Sequence, residues 1–364
     1  MDIAAPNQTP ALASVEMGKH FYWLDAARFL AAFFVLLEHA RGVAFLPWGD
    51  LSETSQLPLT MAFFATARLG TEAVVVFFVL SGFLVGGPGF ARILCGRFRL
   101  RDYVIDRTVR LMLPLLPAIA LTVFATYIIR NDFDGFGAVL GNAVFLQGLV
   151  VDSLSDNSPL WSLAYEFWFY FLVSAVFLIS RSSFLGFSAF CLFLLIFRYL
   201  HTVFLFSWLI GAAVYFVDGK RIGWYVALFG AVATVSVVVL GQLASVNPNG
   251  YGWFSQMQPV LLMSVLVALV LRYLSERRPG QLLEMVETRL GACGRFSYTL
   301  YLTHFPILGV MRHYFGIERS ATVGLADFLV YVALIAGCLF VAYAIYLMFE
   351  KNTASVKNWI RARA

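Results

Sequence analysis

Arg28 and His39 stand eleven residues apart in the apolar stretch Phe21-Tyr-Trp-Leu-Asp-Ala-Ala-Arg-Phe-Leu-Ala-Ala-Phe-Phe-Val-Leu-Leu-Glu-His39. Eleven helical steps return to within about 20° of the starting direction and climb about 16 Å, so the two side chains share a face at different depths. That rise is about half the thickness of a bilayer core. Ionisable groups at such depth are costly and mark functional sites. Histidine takes and returns a proton near neutral pH, so His39 is a candidate general base. The alternative is a packing histidine bonded to a neighbouring carbonyl or hydroxyl.

Glu166 is a lone carboxylate in the aromatic run Pro159-Leu-Trp-Ser-Leu-Ala-Tyr-Glu-Phe-Trp-Phe-Tyr170, at a depth comparable with His39. It either orients or charges a histidine, binds a polar acceptor, or makes an interhelical hydrogen bond. Ser297, Tyr301 and His304 follow i, i+4, i+7 spacing on one helix face. Such a stripe is either a site or polar glue between membrane helices. Pro306 is expected to loosen the helix just beyond His304 and turn carbonyls towards a cavity. Arg107 and Arg110 stand i, i+3 at the start of an apolar run. Two guanidiniums so placed can grip phosphates, although Arg-rich loops also serve simply as topological determinants.

The elements that must position these residues are membrane helices. The chain has 364 residues, 60% hydrophobic and 13% charged, with a mean hydropathy of +0.79. Soluble domains carry roughly a quarter charged residues. The net charge of +5 sits in particular loops and is not a nucleic-acid signal. Four scattered cysteines, Cys95, Cys191, Cys293 and Cys338, lack metal-ligand spacing and read as free packing residues. No metal is expected. The chain has no GxxxxGK[ST], HExxH or G-x-S-x-G pattern, so nucleotide hydrolysis is not expected of it.

Apolar runs at 22–44, 72–90, 111–129, 160–179, 184–199, 201–217, 222–241, 254–274, 293–313 and 324–349 predict an all-α polytopic membrane protein of about ten transmembrane helices. The Gly-bearing run 136–151 reads as interfacial or re-entrant. Basic residues cluster in the connections after the second and eighth spans and at the C-terminus, which places both termini in the cytoplasm. Residues 1–20 are expected to be a disordered cytoplasmic tail, 21–350 a single transmembrane domain, and 351–364 a basic cytoplasmic tail.

Five strings, in order, carry a family resemblance: Leu24-Asp25 with Arg28 and His39; Phe77-Phe-Val-Leu-Ser-Gly-Phe83; Tyr103 through Arg107, Arg110 and Pro114; Trp161-Ser-Leu-Ala-Tyr-Glu166; and Ser297-Tyr-Thr-Leu-Tyr-Leu-Thr-His304. Together they resemble the integral membrane acyltransferase 3 family, which acylates bacterial surface glycans and other hydroxyl-bearing metabolites. Ala73 and Ala26 stand where the family usually has glycine, which leaves the reactive groups intact.

The resemblance implies a bacterial inner-membrane O-acyltransferase. Acyl-CoA, commonly acetyl-CoA, is its co-substrate, and a carbohydrate or other hydroxyl compound is its acceptor. Arg107 and Arg110 hold the donor phosphates, the pantetheine arm passes Arg28, and His39 is the general base with Glu166 as its electrostatic partner. Asp25, Trp161, Ser297, Tyr301 and His304 are acceptor-binding or structural polar residues. No residue is placed as a nucleophile, so transfer is expected to be direct. The rival reading is a proton-coupled transporter or flippase of a polar envelope precursor, with His39, Glu166 and His304 as the pathway. A binding homologue without turnover is the third.

Overall fold

The computed structural model describes residues 22–244, 257–276, 289 and 291–363. The expected N-terminal tail 1–20 and the basic residues Arg277 and Arg278 lie outside the described residues. A helix stands at each of the ten expected positions: α1 Tyr22–Ala44, then α2 Pro58–Thr66, which was not expected, then α3 Gly70–Ser81 with α4 Gly87–Leu94. There follow α5 Leu100–Arg130, the short α6 Phe136–Ala143, α7 Trp161–Ser180, α8 Phe184–Ile196, α9 Thr202–Val214, α10 Trp224–Ala244 and α11 Met257–Ser275. The last are α12 Ser297–Tyr314, α13 Leu325–Met348 and α14 Thr353–Arg363. Among the described residues there is no strand, only isolated bridges such as Phe45 to Ser320.

Among the described residues, six helical segments are long and apolar enough to cross a membrane: Pro58–Leu94, Leu100–Arg130, Ser158–Ser180, Trp224–Gly241, Met257–Ser275 and Leu325–Arg363. The apolar α8 and α9 have 13 residues each, a rise of about 20 Å against a core of about 30 Å. α1 carries Asp25, Arg28, Glu38 and Arg41, which dilute its hydropathy. The eight residues of α6 rise about 12 Å and are too short to span.

α1 lies at the centre because two of its faces are apolar and small. Ala31 and Val35 enter one buried core, with α3, α7 and α9; Ala32, Leu36, Ala40 and Ala44 enter a second, with α12 and α13. Alanine rows let helix backbones approach closely.

Glycine does the same for the second span. A π-turn over Gly82–Gly86 joins α3 to α4, and a side chain on Gly82 would run into the backbone carbonyl of Trp208 on α9. A side chain on Gly211 would meet the carbonyl of Val79 in the same way. Ser81, beside this crossing, accepts the Trp208 indole N–H at 3.2 Å. The Phe-Phe-Val-Leu-Ser-Gly-Phe string is thus a helix-crossing motif.

Two expectations change. Pro306 does not loosen its helix: α12 runs unbroken from Ser297 to Tyr314. Proline removes the donor that would reach the carbonyl four residues back, here that of Leu302. Asn157 takes it up, donating from Nδ2 to Leu302 O at 2.9 Å and to Thr122 Oγ1 at 2.9 Å. The segment expected as a basic tail is the helix α14, which packs on α5.

Candidate active site

Three helices, α1, α5 and α12, each present one end to one cavity and the other end to a second. The first cavity, about 600 Å³, takes Asp25 and Arg28 from α1, Arg107 and Arg110 from α5, and Tyr298 and Tyr301 from α12. The second, about 890 Å³, takes His39 and Arg41 from α1, Arg130 from α5, and Phe305 and Arg312 from α12. The three helices therefore run in one direction, and the cavities lie towards opposite ends of the bundle. We call them the arginine cavity and the histidine cavity.

In the arginine cavity the expected cations converge. Arg28 Nη1 donates to Asp25 Oδ1, one turn earlier, at 2.8 Å. Arg110 Nη1 is 2.5 Å from Glu350 Oε1 and its guanidinium lies 5.1 Å from the Tyr298 ring centre. Arg107 lies between the faces of Tyr103 and Tyr170, at 5.9 and 5.6 Å, and its buried Nε has no hydrogen-bond partner. Cations over aromatic faces stay charged without a competing carboxylate, which leaves Arg107 available to an incoming anion.

Glu166 belongs to this cavity, where it accepts the hydroxyl of Tyr170, one turn on. Arg28, Arg107 and Arg110 all act electrostatically on it. The expectation that Glu166 partners His39 is not what the structure gives: the carboxylate lines the arginine cavity and is held by Tyr170, and His39 has another partner.

That partner is His304. His39 Nδ1 lies 3.0 Å from His304 Nε2, with the ring centres 5.0 Å apart, and His304 itself is fully buried. The other His304 nitrogen, Nδ1, is 3.1 Å from the Leu300 carbonyl oxygen. A carbonyl only accepts, so His304 Nδ1 carries the proton and, with the ring neutral, Nε2 is bare. His39 Nδ1 must then donate to it, which leaves the lone pair on His39 Nε2. The tautomers follow from the heavy-atom network. A histidine lone pair at a cavity wall is what a general base requires.

Tyr301 links this pair to the first cavity. Its ring centre is 5.9 Å from that of His304 and 5.5 Å from that of Phe77, and its hydroxyl is 2.7 Å from Ser162 Oγ. Tyr301 and Ser162 line the arginine cavity, and His39 lines the histidine cavity. The ring sequence Tyr301, His304, His39 thus runs from one cavity to the other.

The remaining expected residues divide. Ser297 donates to the Gly294 carbonyl at 2.7 Å and only fixes the start of α12. Trp161 packs among Phe78, Tyr165 and Phe204 and reaches neither cavity. Glu38, next to His39, accepts the Gly70 N–H at 2.6 Å and so caps the first turn of α3.

Sequence reasoning missed Glu350, whose side chain is 1% exposed and also accepts from Thr299 N at 3.1 Å and Oγ1 at 2.6 Å. Its only sequence signal is a carboxylate set directly at the end of the last apolar run. Asn157 and Tyr170 were missed likewise, being ordinary in type and spacing.

No curated protein and no solved structure matches the chain. Residues 21–347 match the family described as Acyltransferase domain, a span that contains both cavities' helices α1 to α13 almost entirely. The chain therefore belongs to the acyltransferase 3 family.

Proposed function

We propose that this membrane acyltransferase moves an acyl group, acetyl in the simplest case, from acyl-CoA in the arginine cavity to a hydroxyl of a glycan or other acceptor in the histidine cavity. The observation that carries the reading is the His39–His304 pair, which leaves a base at the wall of one cavity while cations gather in the other. The positive-inside pattern supports a cytoplasmic arginine cavity in a bacterial inner membrane. A pantetheine arm reaches about 15–20 Å, comparable with the rise of about 16 Å from Arg28 to His39.

In the reaction, His39 Nε2 takes the proton of the acceptor hydroxyl as the oxygen attacks the thioester carbonyl carbon. The new C–O bond forms, the C–S bond breaks, and the proton passes to the departing sulfur. The imidazolium formed in between is steadied by its Nδ1–H bond to His304, as a fixed acceptor holds the base in serine hydrolases. The ring layer of Phe77, Tyr301 and His304 is the barrier the acyl end must cross, and Glu166 keeps the guanidiniums from repelling one another.

Purified protein given labelled acetyl-CoA and an extract of envelope glycans should release free thiol and label an acceptor. His39→Ala should abolish both while folded protein persists. Transfer by that variant near the wild-type rate removes His39 as the base. Mass spectrometry of envelope glycans with and without the gene would name the acceptor by the shift of one acyl group.

A further inference from the structure

The family match ends at residue 347, and the helix beyond it contributes to the arginine cavity. α14 has no fully buried residue, and among its larger aliphatic side chains only Val356 and Ile360 are half-buried. Charge adds to that packing. Asp106, the neighbour of Arg107, is 2.9 Å from Arg361 Nη2 and 3.5 Å from Lys357 Nζ. At the other end Glu350 ties the chain to Arg110 and Thr299. Between these anchors Lys351, Thr353, Ala354 and Lys357 face the cavity.

Six cations line that cavity, Arg28, Arg107, Arg110, Arg295, Lys351 and Lys357, against the carboxylates Asp25, Glu166 and Glu350. Each of these carboxylates already engages a cation or hydroxyl of its own surroundings: Arg28, Tyr170, and Arg110 with Thr299. The cations of the lining still outnumber these three carboxylates together with Asp106, which meets Lys357 from outside the lining, and the excess calls for an anionic ligand. Two of the six cations come from beyond the family match. Lys357 reaches Asp106 at 3.5 Å, a longer contact than that of Arg361 at 2.9 Å, so Asp106 keeps its shorter partner when the ammonium turns to a phosphate.

We propose that α14 and the turn Glu350–Asn352 before it form a clamp over the donor cavity, with Lys351 of the turn and Lys357 of the helix as phosphate-binding residues for the diphosphate and ribose phosphate of coenzyme A. The assignment rests on acyl-CoA being the donor. The two lysines do not touch the reacting carbonyl, so they act on donor affinity and leave the chemical step alone. Ammonium groups paired with phosphate also make binding salt-dependent, because exposed charge pairs are screened.

The test measures coenzyme A binding to the purified full chain by calorimetry, for wild type, Lys351→Gln/Lys357→Gln and Lys351→Arg/Lys357→Arg. The expected result is a dissociation constant raised at least about tenfold by the glutamine pair and restored by the arginine pair. KM for the acyl donor should rise in parallel, with kcat at saturating donor and KM for acceptor unchanged. The glutamine pair should also flatten the salt dependence of binding. Thermal unfolding in detergent checks that all variants are folded. If wild type binds coenzyme A and the glutamine pair binds it equally well, the clamp is overturned while the donor assignment stands. If wild type itself does not bind coenzyme A, both fall together.

Discussion

His304 accepts from His39 with its Nε2 at 3.0 Å while its own Nδ1 faces the Leu300 carbonyl at 3.1 Å. The α12 backbone thereby dictates the tautomer of a ring on α1. His304→Ala should remove that control without removing the base, lowering kcat by about tenfold to a hundredfold, less than the loss in His39→Ala. His304→Gln should recover part of the rate, since its amide oxygen can accept from His39 Nδ1. Single-turnover transfer from labelled acyl-CoA reads all three variants. Equal losses in His304→Ala and His304→Gln would argue against the orienting role.

The crossing of the second span with α9 gives a stability prediction. A Cβ on Gly82 would require the Trp208 backbone to move, and overpacked contacts cost about 1–3 kcal/mol or more. Gly82→Ala should therefore lower the unfolding midpoint in detergent by several degrees. Gly137, in α6, has nothing within 4 Å of its would-be Cβ. Gly137→Ala should be neutral or stabilising by up to about 1 kcal/mol, because alanine loses less entropy in a helix.

The bond between Asn157 and Leu302 predicts a non-additive cycle. Asn157→Ala strands the Leu302 carbonyl in a buried setting, costing about 1–3 kcal/mol. Pro306→Ala supplies the missing helical N–H to that same carbonyl. The double variant should then be destabilised less than the sum of the two single changes, by about 1 kcal/mol, measured by denaturation in detergent. Strict additivity would mean that Asn157 acts through Thr122 alone.

Much of this architecture was legible in the sequence, for reasons that differ by element. The ten helix positions could be read because apolar runs of spanning length have few other uses. Arg28 and His39 could be placed at different depths of one helix because helical rise is fixed. The partner of His39 could not, since 265 residues separate it from His304 and no local period links them. Glu166 is paired with His39 by comparable depth and by the family resemblance, whereas Tyr170, one turn on, holds it by local geometry. α14 reads as a tail because its sequence is basic with few large apolar residues, and its docking draws on Asp106 and Glu350 across the fold. Pro306 read as a break because the sequence cannot show that Asn157 completes the helix from outside.

Arg107 and Arg110 are alike in type and spacing, yet their surroundings predict different losses. Arg110 pairs with Glu350, whose side chain is 1% exposed. Breaking a buried pair from one side costs about 3–5 kcal/mol, because the remaining charge stays buried. Here the bonds from Thr299 to Glu350 soften that cost, so Arg110→Ala should lower stability by about 2–4 kcal/mol. Arg107 sits over Tyr103 and Tyr170 with a buried, unpartnered Nε. Its removal leaves no carboxylate stranded, so Arg107→Ala should change the unfolding midpoint little. It should instead weaken donor binding by about tenfold to a hundredfold, the worth of one charge-assisted bond to phosphate. Calorimetric titration with coenzyme A, set beside thermal unfolding, separates the two residues. A large stability loss in Arg107→Ala with unchanged donor affinity would make it a packing residue, and the donor phosphates would then have to be held by the other cations of the cavity.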